Sequence, residues 1–321
     1  MNTDGFPTTL VEAVRFFKDE AVCRDFVAAM RWPDGVACVA CGSTRISFLK
    51  SRSLWRCKDC RTMFSVAKGT IFEDSHVPLS KWLPAFWLLS AGKKSRSSHQ
   101  LAKDLGVTQK TAWFMAHRIR LAFETENYSR PLSGEVEIDQ TYIGGSDRNK
   151  HRDLVGDGET MKRAPWGPHL GKVAVMGLLE RHGEVRAKAI PGAKSRTILK
   201  AVRENVAPGA TLYTDAFLSH RLLDQEYVRE VIDHSESYVE GRIHTNGIEN
   251  FWSLFKRVIY GTHHFVEPFH LDRYLAENTR KFNTRKLTDD ARFKDTVRRV
   301  VGRHITYAEL TGKLDPKGAI A

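Results

Sequence analysis

Cys38 and Cys41 are separated by two residues, as are Cys57 and Cys60, and fifteen residues lie between the two pairs. The pattern C-x2-C-x15-C-x2-C restricts where this part of the chain can go, because four thiolates spaced this way close a tetrahedral shell around one Zn2+. Ile46-Ser47-Phe48-Leu49 and Ser53-Leu54-Trp55-Arg56 read as two short strands that bring the second pair back to the first, so 36–68 is expected to be a zinc ribbon. In a segment too small for its own core, structural Zn2+ takes the place of apolar burial. Cys23 falls outside the spacing, on an amphipathic helix expected within 1–35, and reads as a small buried residue rather than a fifth ligand. Arg45, Lys50, Arg52, Arg56, Lys58, Arg61 and Lys68 surround the cysteines. A face that touches nucleic acid and a solvated basic face look alike at this level.

The chain has 321 residues, 41% of them hydrophobic, enough for a sizeable core and about two domains. Fifty Lys and Arg against 38 Asp and Glu leave a net charge of +12, which draws it toward nucleic acid or an anionic membrane. The most apolar stretch, Trp82 to Leu89, is only eight residues, contains Pro84 and is followed by Lys93 and Lys94, so no bilayer span is expected. Charges are scattered through 1–30 where a signal peptide would have an apolar run, which predicts a protein of the reducing cytoplasm. There, clustered cysteines hold metal rather than form disulfides.

Residues 69–126 read as three helices, 80–91, 98–105 and 108–123, with Ser80 as the first N-cap. Ala102 is a small residue inside the second helix, Gly106 sits in the turn, Val107 follows it and Thr108 caps the third helix. Those are helix-turn-helix requirements, although plain helical packing produces them too. In the helix-turn-helix reading, Gln109, Lys110 and Thr111 begin the recognition helix and face the major groove, with Arg118 and Arg120 as further DNA contacts along it. Trp82, Phe86, Trp87, Trp113 and Phe114 recur at helical spacing and read as core.

From 127 the periodicity turns strand-like: 135–143, 172–180, 184–190 and 211–214 read as strands and 196–204 as a helix, the order of an α/β layered domain over 127–290. The charged stretch 144–171, with Arg148, Lys150, Arg152, Lys162 and Arg163, reads as a surface loop that contacts DNA. Three acids stand out against the basic balance. Asp139 closes Val136-Glu137-Ile138-Asp139, Asp215 closes Tyr213-Thr214-Asp215, and Glu249 lies in a helix whose Ile248, Phe251, Trp252, Phe255 and Ile259 form a buried face. Glu249 and Lys256 are seven apart and fall nearly on one line along that helix, with Ser253 between, so a carboxylate and an ammonium reach one cleft. Singly, each acid has a structural explanation. Asn246 as N-cap with Glu249 three residues on is a capping-box arrangement, and Asp139 and Asp215 suit turns at strand ends. Together they can hold two Mg2+ roughly 3.5–4 Å apart for in-line phosphoryl displacement.

The cysteine ribbon, the segment Val136-Glu137-Ile138-Asp139-Gln140-Thr141-Tyr142-Ile143-Gly144-Gly145, Tyr213-Thr214-Asp215, and His244-Thr245-Asn246-Gly247-Ile248-Glu249-Asn250-Phe251-Trp252-Ser253-Leu254-Phe255-Lys256-Arg257 resemble the Merlin-related, ISXO-type insertion-sequence transposases of bacteria, of the DDE class. The resemblance covers most of the chain. It implies an RNase H-like catalytic domain with Asp139 and Asp215 as its aspartates, Glu249 as the third acid and Lys256 as its basic companion. Relatives can carry Asn at the third position, which brings in Asn246 and Asn250; the seven-residue offset of Glu249 from Lys256 favours Glu249. The implied cofactors are two Mg2+ (or Mn2+) ions beside one structural Zn2+. The implied partners are double-stranded DNA at element ends and target and a second copy of the chain, at the bacterial nucleoid. Arg257, and a basic region over 291–321 preceded by Arg280, Lys281, Arg285 and Lys286 and containing Arg298, Arg299 and Arg303, are expected to add phosphate contacts. Two other readings stay open: a zinc-ribbon regulator without catalysis, and a hydrolytic nuclease of RNase H type.

Overall fold

Residues 5–125, 128–145, 172–215, 223, 226–232 and 244–312 are described by a computed structural model of the chain. Most of the charged stretch expected to contact DNA, residues 146–171, lies outside them. The chain divides into two units, one over 1–124 that resumes at 284, the other over 125–283.

The first unit begins with α1 (Leu10–Phe16) and α2 (Glu20–Arg31), started by the side chains of Thr9 and Asp19. Strands β1 (Ile46–Leu49), β2 (Leu54–Cys57) and β3 (Met63–Phe64) form an antiparallel meander, one strand more than the spacing predicts. Helices α3 (Leu79–Ala91), α4 (Ser98–Leu105) and α5 (Gln109–Phe123) follow. Gly106 ends α4 in the left-handed conformation, and the Thr108 hydroxyl accepts from the Thr111 amide to start α5. Ser80 is not the cap of α3. Pro78 holds that position without a side-chain bond, and the Glu20 carboxylate on α2 accepts from the amides of Leu79 and Ser80 at 2.7 and 3.0 Å.

The second unit is built on a sheet of order β6-β5-β4-β7-β8. Strands β4 (Glu135–Ile143), β5 (Val173–Glu180) and β6 (Val185–Ile190) run antiparallel. After α6 (Ser195–Asn205), strands β7 (Thr211–Asp215) and β8 (Val228–Ile232) lie parallel to β4. Alternation divides the apolar residues between two faces. Val136, Ile138, Met176, Leu178 and Leu212 pack with Ile198 and Val202 of α6 on one. Ile143, Val175, Leu179 and Val185 pack on the other with α7 (Asn246–Val258) and α8 (Leu271–Asn283). A π turn, Ile259–His263, extends α7.

The C-terminal segment is not an appended basic region. Helix α9 (Asp289–Arg298) and the short α10 (Tyr307–Leu310) complete the first unit, where Phe293 is fully buried and stacks on Phe26 at 5.6 Å. Arg303 donates to the carbonyls of Leu121 and Glu124, and Lys281, back on α8, is buried against Glu277 at 2.8 Å. Neither is a phosphate contact. Arg285, Lys286 and Arg298 are exposed.

Candidate functional site

Asp139 does not end its strand. It lies inside β4, at the level where β7 stops. The parallel register pairs Glu137 with Tyr213 and Ile138 with Thr214, so one step further Asp139 and Asp215 are neighbours across strands about 4.8 Å apart. Glu135, Glu137 and Asp139 share a face by alternation, as do Tyr213 and Asp215, and that face is the one α7 covers. The Tyr213 hydroxyl donates to Glu135, and Glu137 accepts from the α7 backbone, which places both strands' odd-numbered side chains under the helix.

Helix α7 presents Glu249, Trp252, Ser253, Lys256 and Arg257 to a cleft of about 480 Å3, opposite Asp139, Gln140 and Thr141. The spacing i, i+3, i+4, i+7, i+8 is one helical stripe, so the shared cleft of Glu249 and Lys256 follows from the helix itself. Lys256 forms no hydrogen bond or ion pair among the described residues, while Arg257 is held by the Ser253 carbonyl and hydroxyl at 3.1 Å each. Asp215, beside Asp139 in register, is not among the lining residues, and Asn246 is exposed at the first position of α7 outside the lining.

The capping-box reading of Asn246 and Glu249 does not hold. Thr245 takes the N-cap position without a side-chain cap bond, and its hydroxyl donates to Glu249 Oε1 at 2.9 Å. The helix start is satisfied from the sheet: Glu137 Oε2 accepts from the Ile248 amide at 2.9 Å. Sequence reasoning passed over Glu137, although it stands two residues from Asp139 on the same face and its burial at 1% exposure sets it apart.

The donor set suits divalent cations. Asp139 and Glu249 bring carboxylate oxygens to one cleft, with Asp215 beside Asp139 in register, the oxygen chemistry that Mg2+ and Mn2+ favour, although among the described residues only the four cysteines form a group with ligand atoms all within 4.8 Å of one another. Two buried polar atoms of the lining, Gln140 Oε1 and Trp252 Nε1, lack a hydrogen-bond partner among the described residues, an acceptor and a donor that a polar ligand would satisfy.

The four cysteines form a site of different chemistry. Their sulfurs all lie within 4.8 Å of one another, with Cys38 to Cys60 at 3.5 Å and Cys41 to Cys57 at 3.7 Å. A tetrahedron with Zn–S bonds of about 2.3 Å has edges of about 3.8 Å, so the cage fits Zn2+. Hydrogen bonds between Cys60 and the Thr62 hydroxyl and amide hold the Cys60 thiol down at about 6. The Ser43 amide lowers Cys41, but contacts with the other three sulfurs prevail and push it up to about 12. Cys23 is apart, buried, its Sγ donating to the Phe17 carbonyl at 3.2 Å.

Of the residues expected to face DNA on α5, Gln109 and Lys110 are exposed and Thr111 is partly so. The Gln109 amide donates to Ser98 at 2.8 Å, and the Lys110 ammonium stands 4.8 Å over the Tyr307 ring. Arg118 and Arg120 are each 2% exposed and are not DNA contacts. The Arg118 guanidinium is consumed by the carbonyls of Ile71, Glu73 and Ile305. On the ribbon, Lys50, Arg52, Arg56, Lys58 and Arg61 are exposed, whereas Arg45 is paired with Asp59 and Lys68 with Glu73. No described helix is long and apolar enough to cross a membrane.

A cysteine-caged ribbon and an acidic cleft on a mixed sheet thus occur in one chain, and each matches a known domain. Residues 18–63 match the transposase zinc-ribbon domain, and residues 131–283 match the ISXO2-like transposase domain. A protein in transposable element ISH50 of Halobacterium salinarum is 29% identical over 274 residues, covering 82% of this chain and 90% of that one. A transposase-like protein of Haemophilus influenzae is 33% identical over 105 residues, 32% of this chain and 85% of that one. Among solved structures, the Mos1 strand transfer complex aligns over 64% of this chain and 70% of its own at 12% identity, with a TM-score of 0.24. The chain belongs to the ISXO2-like transposase family, and its function is DNA transposition.

Proposed function

We propose that this transposase is of the DDE type, with Asp139, Asp215 and Glu249 as ligands of two divalent cations, Mg2+ or Mn2+, in an RNase H-like domain. The observation that carries the reading is the neighbouring placement of Asp139 and Asp215 beneath α7, with Glu249 and Lys256 on one stripe of that helix, facing the cleft with Asp139. The strand order β6-β5-β4-β7-β8, three strands antiparallel and two parallel to β4, supports the RNase H-like topology. When bound, the cations supply activation of the attacking oxygen and charge stabilisation at the leaving oxygen of an in-line displacement at phosphorus.

The protein's own groups bind and orient. Asp139 and Asp215 are held by a strand pair and Glu249 by a packed helix, so the negative field of the site is in place before DNA arrives. Lys256, uncommitted among the described residues, grips a phosphate oxygen, and Arg257, steered by Ser253, neutralises a flanking phosphate. Glu249 shares its helical stripe and the cleft with Lys256, which favours it over Asn246 as third ligand. The zinc ribbon and α3–α5 bind duplex DNA, with Gln109, Lys110 and Thr111 reading base edges in helix-turn-helix fashion. Bringing two element ends together calls for at least two copies of the chain, working at the bacterial nucleoid.

A strand-transfer assay with element ends, target DNA and Mg2+ tests the reading. Asp139→Ala, Asp215→Ala and Glu249→Ala are each expected to lower cleavage and joining by at least about 100-fold with DNA binding retained. Full joining by any one of them removes that residue from the site. Cutting without joining would identify a nuclease, and retention of zinc with no response to Mg2+ or Mn2+ a regulator.

A further inference from the structure

Glu137 is an acid beside the cleft with no place among the metal ligands, and its burial demands a reason. A carboxylate at 1% exposure is costly unless its oxygens are satisfied. Oε2 accepts from the Ile248 amide at 2.9 Å, and Oε1 accepts from Arg181 Nε at 3.0 Å with His244 Nδ1 at 3.5 Å. Ile248 is the third residue of α7, so its amide is one of the donors a helix start leaves unpaired, and the anion also meets the positive end of the helix dipole.

The partners spread to the other elements of the site. Arg181 donates to the His244 carbonyl at 2.8 Å, and its guanidinium lies 3.8 Å over the Tyr213 ring. Glu137 precedes Asp139 by two residues, Tyr213 precedes Asp215 by two, and Ile248 precedes Glu249 by one. One network therefore reaches a residue close in sequence to each of the three acids. Gly247 makes the close approach possible: a Cβ there would stand 2.7 Å from Glu137 Oε2 and 2.5 Å from Leu179 Cδ2.

We infer that Glu137 is a positioning residue that sets the separation of Asp139 and Glu249 by anchoring the first turn of α7 to β4. The inference rests on the metal-binding role proposed above for those acids. A cap that served only helix stability would be indifferent to where the helix lies. An anchor is not, and Gly247 separates the two. Gly247→Ala improves intrinsic helix propensity yet puts a methyl where the Glu137 carboxylate and the Leu179 side chain now stand, so either the carboxylate or the helix must give way.

The test uses full-length, zinc-loaded protein without DNA. It compares Glu137→Ala, Glu137→Gln and Gly247→Ala with wild type, and with Asp139→Asn as the control for the metal site. Mn2+ affinity is read by electron paramagnetic resonance of the free ion, amide exchange over 246–250 by mass spectrometry, and folding by circular dichroism. Glu137→Ala is expected to weaken Mn2+ binding by about 10- to 100-fold and to speed exchange in the first turn of α7. Glu137→Gln falls between, because its amide oxygen still accepts from Ile248 while its NH2 confronts Arg181. Gly247→Ala weakens Mn2+ binding despite its better helix propensity. Wild-type Mn2+ affinity in a folded Glu137→Ala or in Gly247→Ala overturns the inference, and Gly247→Ala decides alone if Glu137→Ala does not fold. Unchanged Mn2+ binding in Asp139→Asn would instead sink the metal-site reading. The exchange rates then judge the anchor, and wild-type exchange in Glu137→Ala would overturn it as well.

Discussion

Gly177 lies directly across from Asp139 in the β4–β5 ladder, and Trp252 and Ile248 of α7 fill the space where its side chain would be. A Cβ at Gly177 would stand 2.5 Å from Trp252 Cζ2 and 2.8 Å from Ile248 Cδ1. The close fit of helix on sheet, which brings Glu249 opposite Asp139, thus depends on two glycines, 177 and 247. Gly177→Ala is expected to destabilise the protein by about 1–3 kcal/mol through overpacking, read from the midpoint of urea unfolding. Because Trp252 lines the cleft, strand cleavage should fall with it.

Zinc should be stoichiometric and structural. Elemental analysis is expected to find one Zn2+ per chain, lost on Cys38→Ser or Cys57→Ser. Removal by a chelator should unfold the β1–β3 meander, because little else holds so small a segment. The signal is Trp55, which is buried and packs edge-on against Trp32 at 5.7 Å, so its fluorescence should shift to the red on chelation and recover on adding Zn2+. A fluorescence spectrum indifferent to chelation would argue against a structural ion.

Two basic residues on α5 should behave in opposite ways. Lys110→Ala removes an exposed cation and is expected to weaken DNA binding across sequences, reducing the salt slope by about 1, with stability nearly unchanged. Arg118→Ala leaves the carbonyls of Ile71, Glu73 and Ile305 without their donor and should cost about 1–3 kcal/mol of stability. Its salt slope should match wild type wherever the protein is still folded. Fluorescence anisotropy over a salt series, paired with thermal melts, distinguishes the two.

Glu180 and Arg130 link the start of β4 to the end of β5. Arg130 grips the carboxylate through two hydrogen bonds, at 2.7 and 2.8 Å, and holds Glu180 below the ordinary glutamate value of 4.5. With the folded value depressed, the stabilisation is complete above 4.5 and drains away as pH falls through the lower folded value. Arg130 is half exposed, so solvent screening limits the pair to a small contribution. Arg130→Ala should lose that contribution at pH 7 and converge on wild type in acid, as urea midpoints across pH 2–7 would show.

Local rules were enough for much of the chain. The cysteine cage was legible because ligand spacing is a property of short segments, and the two C-x2-C pairs with the strand hairpin between them need little from elsewhere. The stripe Glu249, Trp252, Ser253, Lys256 was legible because helical periodicity alone puts those side chains on one side. Strand alternation likewise separated Asp139 from Ile138. What was not legible is which of two like residues would be covered. Glu137 and Asp139 share a face and a charge, yet one is buried under α7 and the other opens on the cleft. Lys110 and Arg118 share a helix, yet only one meets solvent.

The amino-acid sequence by itself therefore determined the ligand types, their spacing within each element, and the basic excess suited to DNA, since all of these are set by covalent order and helix or strand geometry. Tertiary structure alone decided the caps and the anchors. Glu20 reaches 59 residues to α3, Glu137 reaches 111 to α7, and Arg118 reaches 187 to Ile305. Such bonds depend on how elements pack, because burial, rather than residue type, determines whether a charge must find a partner in the protein or can be left to water.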